Sequence, residues 1–211
     1  MDEETTPIPF GITVTIDQLE TPAVLVDLDI MESNIARLAD YGRRHGLHVR
    51  PHTKTHKIPA IARMQIESGC QGITVAKSGE AEVMAAAGLD DILIAYPIFG
   101  DLKLRRLALL AAKKRITIAV DNVATAEAIS QAAQAAGSTI DLLVEIDVGM
   151  RRCGVATPED AEGLAKAIQK LPGVRFAGLN LYPGHIWAPP GDQSVPLRQV
   201  AEKLAAVLDR L

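Results

Sequence analysis

Two hydrophobic periodicities alternate along this chain and predict strands followed by helices. Runs rich in Val, Ile and Leu predict strands, whereas apolar residues spaced three and four apart predict amphipathic helices. The predicted strands are residues 23–28, 47–54, 72–77, 91–96, 116–121, 140–147 and 174–182. The predicted helices are residues 31–45, 79–87, 102–114, 123–136, 158–171 and 196–211. This order predicts an α/β fold with a parallel sheet, either open or closed into a barrel.

Capping residues mark several helix boundaries. Asp121 and Thr157 are predicted N-caps, and Pro158 suits a first helical turn. Glycines stand where four helices are expected to end, at Gly46, Gly88, Gly137 and Gly173. The stretch 183–196, rich in Pro and Gly, is predicted to be a long strand-to-helix loop, and in a barrel the loops on that side carry the active site.

Composition narrows the classes of function. The chain has 211 residues, which is enough for one sizeable core, and its net charge of −4 gives no reason to expect a nucleic acid or an anionic membrane as partner. No apolar run is long enough to span a bilayer, and residues 1–10 lack the pattern of a signal peptide. Cys70 and Cys153 have neither a disulfide pattern nor metal-ligand spacing. A cytoplasmic protein is therefore expected.

The segment 47–54 carries the densest chemistry. Side chains alternate between the faces of a strand, so His48, Arg50, His52 and Lys54 are expected to share one face, which would look into a barrel. Four such side chains are costly in a core unless they serve a bound anion or cofactor. Lys54 at the barrel mouth would suit attack on a carbonyl. The alternative is a basic, solvated strand end.

Residues 50–57, Arg-Pro-His-Thr-Lys-Thr-His-Lys, resemble the signature of the D-threonine aldolase and D-serine dehydratase family. Residues 21–29 resemble the opening segment of the same family, whose members are fold-type III pyridoxal-phosphate enzymes related to alanine racemase. The resemblance implies that Lys54 holds pyridoxal 5'-phosphate, with Lys57 as the alternative, and that His52 lies beside the cofactor. It also implies a (β/α)8 TIM-type barrel of the alanine racemase N-terminal domain.

Two later segments extend the resemblance. Residues 145–154 resemble the Asp-x-Gly-Met-x-Arg-x-Gly motif of alanine racemase-type barrels, which implies that Arg152 lies near the phenolic oxygen of the cofactor. Pairing of Arg152 with Asp147 at the barrel rim is the alternative, and alternation is expected to point Glu145 and Asp147 inward. Residues 76–82 resemble a strand-to-helix turn of the family and receive no catalytic role.

Residues 176–185 resemble the next strand of D-threonine aldolases. The resemblance implies that Tyr182 contacts the cofactor ring and that His185 serves as a base, although a loop histidine can equally be a plain surface residue. Trp187 would either wall the substrate pocket or cover a helix.

The resemblance implies a lyase that cleaves D-3-hydroxyamino acids to glycine and an aldehyde. D-Serine dehydratase-like elimination, an amino-acid racemase, a pyridoxal-phosphate carrier and a non-enzymatic remnant remain alternatives. The expected partners are a small D-amino acid and a second copy of the chain in a homodimer.

The barrel is expected to be incomplete at its C-terminal end. Residues 1–22 are predicted to be a lead-in and residues 23–211 the cofactor-binding barrel, without its late units and without a C-terminal β-domain. The family's phosphate-binding turn has no counterpart before Leu211. No metal ligands are predicted here, since the resemblance places a divalent metal on the β-domain.

Overall fold

The computed structural model describes residues 15–211, which form a five-stranded parallel sheet and seven α-helices. The strands are β1 (Ile73–Val75), β2 (Asp91–Ile94), β3 (Arg115–Val120), β4 (Ile140–Ile146) and β5 (Val174–Leu181). The helices are α1 (Leu28–Arg44), α2 (Pro59–Glu67), α3 (Ser78–Ala86), α4 (Asp101–Ala111), α5 (Val123–Ala136), α6 (Pro158–Lys170) and α7 (Ser194–Leu208). Two short 3-10 turns cover Ile16–Gln18 and Pro190–Asp192.

The strands pair in the order in which they occur along the chain, β1-β2-β3-β4-β5, and every pairing is parallel. A helix separates each strand from the next, and right-handed crossovers in an unreversed strand order place these helices on one face of the sheet. A doubly wound sheet would reverse its order at a switch point. The order therefore describes an arc of a (β/α) barrel, in agreement with the predicted fold.

The core lies between the sheet and its helices. The strands contribute aliphatic side chains that are almost fully buried, chiefly Ile73, Ile92, Ile94, Ile116, Ile118, Ile140, Leu142 and Ile146. The helices contribute many alanines, including Ala81, Ala108, Ala126, Ala133, Ala161 and Ala165. Small side chains let the helix backbones approach the sheet closely, and this explains a core that contains almost no aromatic residues.

Most predicted helix boundaries are correct to within one residue. Thr157 caps α6 by accepting a hydrogen bond from the Asp160 amide, as predicted. The N-cap of α5 is Asn122 and not Asp121, because the Asn122 side chain accepts from the Thr125 amide. Asp121 instead accepts from the Gly154 amide and so holds a loop that follows β4.

The predicted strand 23–28 is wrong for the described residues. Residues 23–27 form no regular structure, and Asp27 caps a helix that begins at Leu28, three residues before the predicted start. Val24 is 95% exposed and Leu25 59% exposed, so within residues 15–211 this apolar run has no neighbouring strand to pair with. Of the predicted lead-in, residues 1–14 lie outside the described residues.

The predicted strand 47–54 is reduced to one bridge, between His52 and Thr74 of β1. Pro51 has no amide proton to donate, and the chain turns directly after Thr53. The segment nevertheless runs parallel to β1, since Thr74 donates to the Pro51 carbonyl and Thr53 donates to the Thr74 carbonyl. It therefore lies beside β1 at the edge of the sheet.

Helix α2 was not predicted, although Pro59 at its first position is a helix-start signal. Among the helices of residues 15–211, none combines the length and apolar character needed to cross a bilayer.

Candidate active site

The carboxyl ends of the parallel elements form an open cavity of about 340 Å³. Three predicted site residues meet there: Lys54 after the segment beside β1, Arg152 after β4, and Tyr182 after β5. Two cations approach the Tyr182 ring, whose centroid is 5.9 Å from Lys54 Nζ and 5.0 Å from Arg152 Cζ. The sequence thus places three distant segments at the end of the sheet where barrel enzymes carry their chemistry.

His52 lies on the same wall of the cavity, as alternation predicted. Its Nδ1 accepts a hydrogen bond of 3.2 Å from the Lys54 amide. Burial, and then the positive charge of Lys54, lower the pKa of His52 below that of free histidine. The ring is therefore neutral at pH 7 and adds no charge beside the lysine.

A tight loop holds Arg152. Asp147 Oδ1 accepts hydrogen bonds of 2.9 Å from the amides of Gly149 and Arg151, and Val155 returns to pair with Ile146. Burial alone would raise the pKa of Asp147, but these amide bonds outweigh it and hold the pKa below the ordinary value. Asp147 therefore organises the loop instead of pairing with Arg152, and no such ion pair occurs in residues 15–211.

Glu145 forms part of the cavity floor and is only 4% exposed. Its Oε2 accepts a short hydrogen bond of 2.5 Å from Asn180 on the neighbouring strand β5. Burial raises the pKa of Glu145, although the Asn180 bond and the charge of Arg152 oppose the shift. Alternation predicted its inward orientation but suggested no role for it.

The three ring-bearing residues of the loop after β5 differ in their contacts and in their exposure. The Tyr182 ring lies against Gly184, where any β-carbon would collide with the ring. The His185 ring lies against Gly149, so that a β-carbon there would come within 2.7 Å of its Nε2. His185 is exposed and contributes no wall to the cavity. Trp187 is 86% exposed, so it neither walls the cavity nor covers a helix in the described chain.

Lys57 and Arg50 are both engaged in ion pairs, although Arg50 also lines the cavity. Lys57 Nζ pairs with Glu80, a buried carboxylate that also accepts from the Ala76 amide. Arg50 faces the interior as predicted, but its guanidinium is bound to Asp91 and not left for an anion. His48 is exposed and lies outside the cavity lining.

The described chain offers no metal centre, since nowhere in residues 15–211 do three His, Cys, Asp or Glu side chains gather closely enough to hold an ion. The polar groups of the cavity are instead one amine, two guanidiniums, an imidazole, a phenol, a carboxamide, a hydroxyl and one carboxylate. This set suits a small anionic molecule with a reactive carbonyl.

A family model described as "Alanine racemase, N-terminal domain" matches residues 26–211. The chain belongs to the alanine racemase N-terminal domain family. A D-threonine aldolase of Arthrobacter sp is 41% identical over 169 residues, which are 80% of this chain and 45% of that enzyme. A D-threo-3-hydroxyaspartate dehydratase of Delftia sp. is 37% identical over 145 residues, 69% of this chain and 38% of the relative.

The crystal structure of D-threonine aldolase from Filomicrobium marinum superimposes with a TM-score of 0.85 at 38% identity. The match covers 90% of this chain and 53% of that one, so the chain spans about half the length of these relatives. The predicted resemblance to D-threonine aldolases and the predicted alanine racemase N-terminal fold are both confirmed.

Proposed function

We propose that this chain forms the cofactor-bearing part of a pyridoxal-phosphate-dependent lyase that acts on D-3-hydroxyamino acids, by aldol cleavage to glycine and an aldehyde. The observation that carries the proposal is the convergence of Lys54 and Arg152 on the Tyr182 ring, in a chain 41% identical to a D-threonine aldolase. The cytoplasmic location expected from composition stays a prediction. The homodimer also stays a prediction.

The side chains of the cavity fit three features of pyridoxal phosphate. The Lys54 amine can condense with an aldehyde, with loss of one water. The Arg152 guanidinium can hold an anionic phenolic oxygen, and the Tyr182 ring offers an aromatic surface for a pyridine ring. When bound, the cofactor supplies a conjugated ring that accepts the electron pair of the bond broken at the substrate Cα.

His185 is the proposed base for the substrate hydroxyl. Histidine is a common general base, because an unprotonated ring nitrogen can accept a proton from a hydroxyl. His185 lies against Gly149, in the loop that also carries Arg152, so it shares the rim of the same site. Neutral His52 and buried Glu145 complete the polar lining around Lys54.

The similarity to a D-threo-3-hydroxyaspartate dehydratase supports one alternative, β-elimination. Elimination removes the Cα proton and then the hydroxyl, whereas aldol cleavage removes the hydroxyl proton and breaks the Cα–Cβ bond. The same cavity residues could serve either course, so the two reactions differ in which proton is taken.

Product analysis distinguishes these activities. With pyridoxal phosphate and D-threonine, the proposal predicts glycine and acetaldehyde in equal amounts, and no reaction with L-threonine. Formation of 2-oxobutanoate and ammonia would show elimination, and formation of another threonine stereoisomer without cleavage would show a racemase. Lys54→Ala is the matched control and should abolish whichever product appears.

A further inference from the structure

A ladder of charged side chains runs across the amino-terminal end of the sheet, opposite the cavity mouth. Arginine and aspartate alternate in it from Arg50 through Asp91, Arg115 and Asp141 to Arg175. Arg50 holds Asp91 with two bonds of 2.8 and 2.9 Å, and Arg175 holds Asp141 with two bonds of 2.8 and 2.9 Å. Arg115 lies between the two aspartates, 3.6 and 3.3 Å from their carboxylates.

The ion pair between Arg50 and Asp91 spans β1, and no side chain of β1 takes part in it. Gly72, next to the first residue of β1, lies directly under the Arg50 guanidinium. A β-carbon at this position would overlap Arg50 Nη1 and come within 2.6 Å of the Asp91 carbonyl oxygen. A glycine at position 72 therefore lets Arg50 reach from the edge segment to β2.

The edge segment needs this support because its backbone pairing is sparse. It forms one bridge with β1, and Pro51 cannot donate a hydrogen bond. The bridge consists of the Thr74 amide bond to the Pro51 carbonyl and the Thr53 amide bond to the Thr74 carbonyl; the Gln71 amide also donates to the Val49 carbonyl, and the Thr74 hydroxyl donates to the Arg50 carbonyl. The side chains of Arg50 and Asp91 are 20% and 18% exposed, so their ion pair is partly shielded from solvent.

We infer that Arg50 is a positioning residue for Lys54. The bidentate pair with Asp91 fixes the edge segment against β2, and this fixes where Lys54, four residues later, meets Tyr182. The inference rests on the proposed role of Lys54 as the cofactor lysine. Arg175 makes an equivalent pair at the other end of the ladder, on a strand that continues to Tyr182 and is held along its length by β4.

Arg50→Gln and Arg175→Gln form a matched pair that separates positioning from general stability. The full chain is mixed with subsaturating pyridoxal phosphate, reduced with borohydride and mapped by peptide, and its melting temperature is measured in parallel. We expect Arg50→Gln to lower the labelled fraction of Lys54 by about tenfold, equivalent to about 1.4 kcal/mol. Arg175→Gln should leave the labelling unchanged even if it lowers the melting temperature as much.

Gly72→Ala displaces the Arg50 side chain without removing a charge, and we expect it to reproduce the loss of Lys54 labelling. In both Arg50→Gln and Gly72→Ala, the pH midpoint of the visible absorbance of the bound cofactor should also shift, whereas Arg175→Gln should keep the wild-type midpoint. Arg50→Lys keeps one charge but not the bidentate geometry, so it should restore part of the labelling.

The outcomes separate the two proposals. Absence of label on Lys54 in the wild-type chain would refute the proposed function together with this inference. Normal labelling of Lys54 in wild type, with equal labelling in Arg50→Gln and Gly72→Ala, would refute the positioning role alone. An equal loss of labelling in Arg175→Gln would also refute it, because the effect would then belong to the whole ladder.

Discussion

Strand β4 carries two buried carboxylates on one face of the sheet, and their surroundings differ sharply. Asp141, near the amino end, is 3% exposed and accepts hydrogen bonds from Arg115 and Arg175. Glu145, four residues further on, is 4% exposed; among residues 15–211 its carboxylate accepts only from the Asn180 side-chain amide, and burial raises its pKa. At the amino end of β4, ion pairs compensate the charge of Asp141 and link neighbouring strands. At the carboxyl end, the charge of Glu145 is poorly compensated, and this is the end of the sheet where a ligand would bind.

The backbone shows the same contrast. Lys57 and Arg151, non-glycine residues with positive φ, both follow the carboxyl ends of sheet elements, at φ values of 55° and 54°. Such conformations cost about 1 kcal/mol or more and persist only where surrounding contacts enforce them. The hydrogen bond from the Lys57 amide to the Thr53 carbonyl holds the first, and the bond from the Arg151 amide to Asp147 holds the second. Strain is thus concentrated at the mouth, as expected of a functional site.

The largest effect on stability is expected at the amino end. Asp141→Asn removes the charge that two arginines share, and we expect the free energy of unfolding to fall by about 2–3 kcal/mol. The exposed Asp192 has no ion pair in the described chain, so Asp192→Asn should change stability by less than about 0.5 kcal/mol. Chemical denaturation measures both. Equal stability of the two variants would contradict the structural role of the ladder.

At the carboxyl end, Arg152→Ala should act on cofactor binding more than on folding. Loss of one charge-assisted hydrogen bond should weaken pyridoxal phosphate binding by about 2 kcal/mol and shift the visible spectrum of the bound cofactor. Arg151→Gly removes the neighbouring guanidinium and suits the left-handed backbone, so it is the control. Titration with the cofactor tests both variants, and similar losses from each would contradict a specific role for Arg152.

A smaller effect, of opposite sign, is expected for Glu145→Gln. Because the folded state raises the pKa of Glu145, the folded protein keeps a proton that the unfolded chain has already released. The stability from this group is therefore present below its ordinary pKa of 4.5 and is lost as the pH rises through the raised value. Glu145→Gln should be more stable than wild type by about 1 kcal/mol at pH 8, with the difference vanishing near pH 4. A variant less stable than wild type at pH 8 would contradict this sign.

The sequence predicted elements whose signals are local, and it failed where a distant partner decides the outcome. The boundaries of α5, predicted as residues 123–136, are correct because their signals are local. The apolar spacing lies within the helix, and Gly137 directly follows it. Residues 23–28 have strong strand propensity but no partner strand in the described part of the chain, and residues 47–54 are limited by Pro51 and by a short β1. Strand formation depends on a neighbouring edge, which a single sequence does not reveal.

The predictions for the candidate site divide in the same way, between what the sequence predicted and what it missed. Alternation and motif resemblance brought Lys54, Arg152 and Tyr182 together correctly in space, since each follows the carboxyl end of a parallel element. They could not reveal that Arg50 is bound to Asp91, because 41 residues separate the pair along the chain. The capping role of Asp147 was also missed, although an aspartate followed by glycine two residues later is a common loop signal.

The central claim is that Lys54 is the residue that holds the cofactor, and covalent trapping tests it most directly. The chain is incubated with pyridoxal phosphate, reduced with borohydride and digested, and the modified peptide is identified by mass spectrometry. We predict the modification on Lys54, which lies 5.9 Å from the Tyr182 ring in the open cavity, and its absence from Lys57, which is paired with Glu80. Modification of Lys57 or Lys77 with Lys54 left untouched would contradict the account.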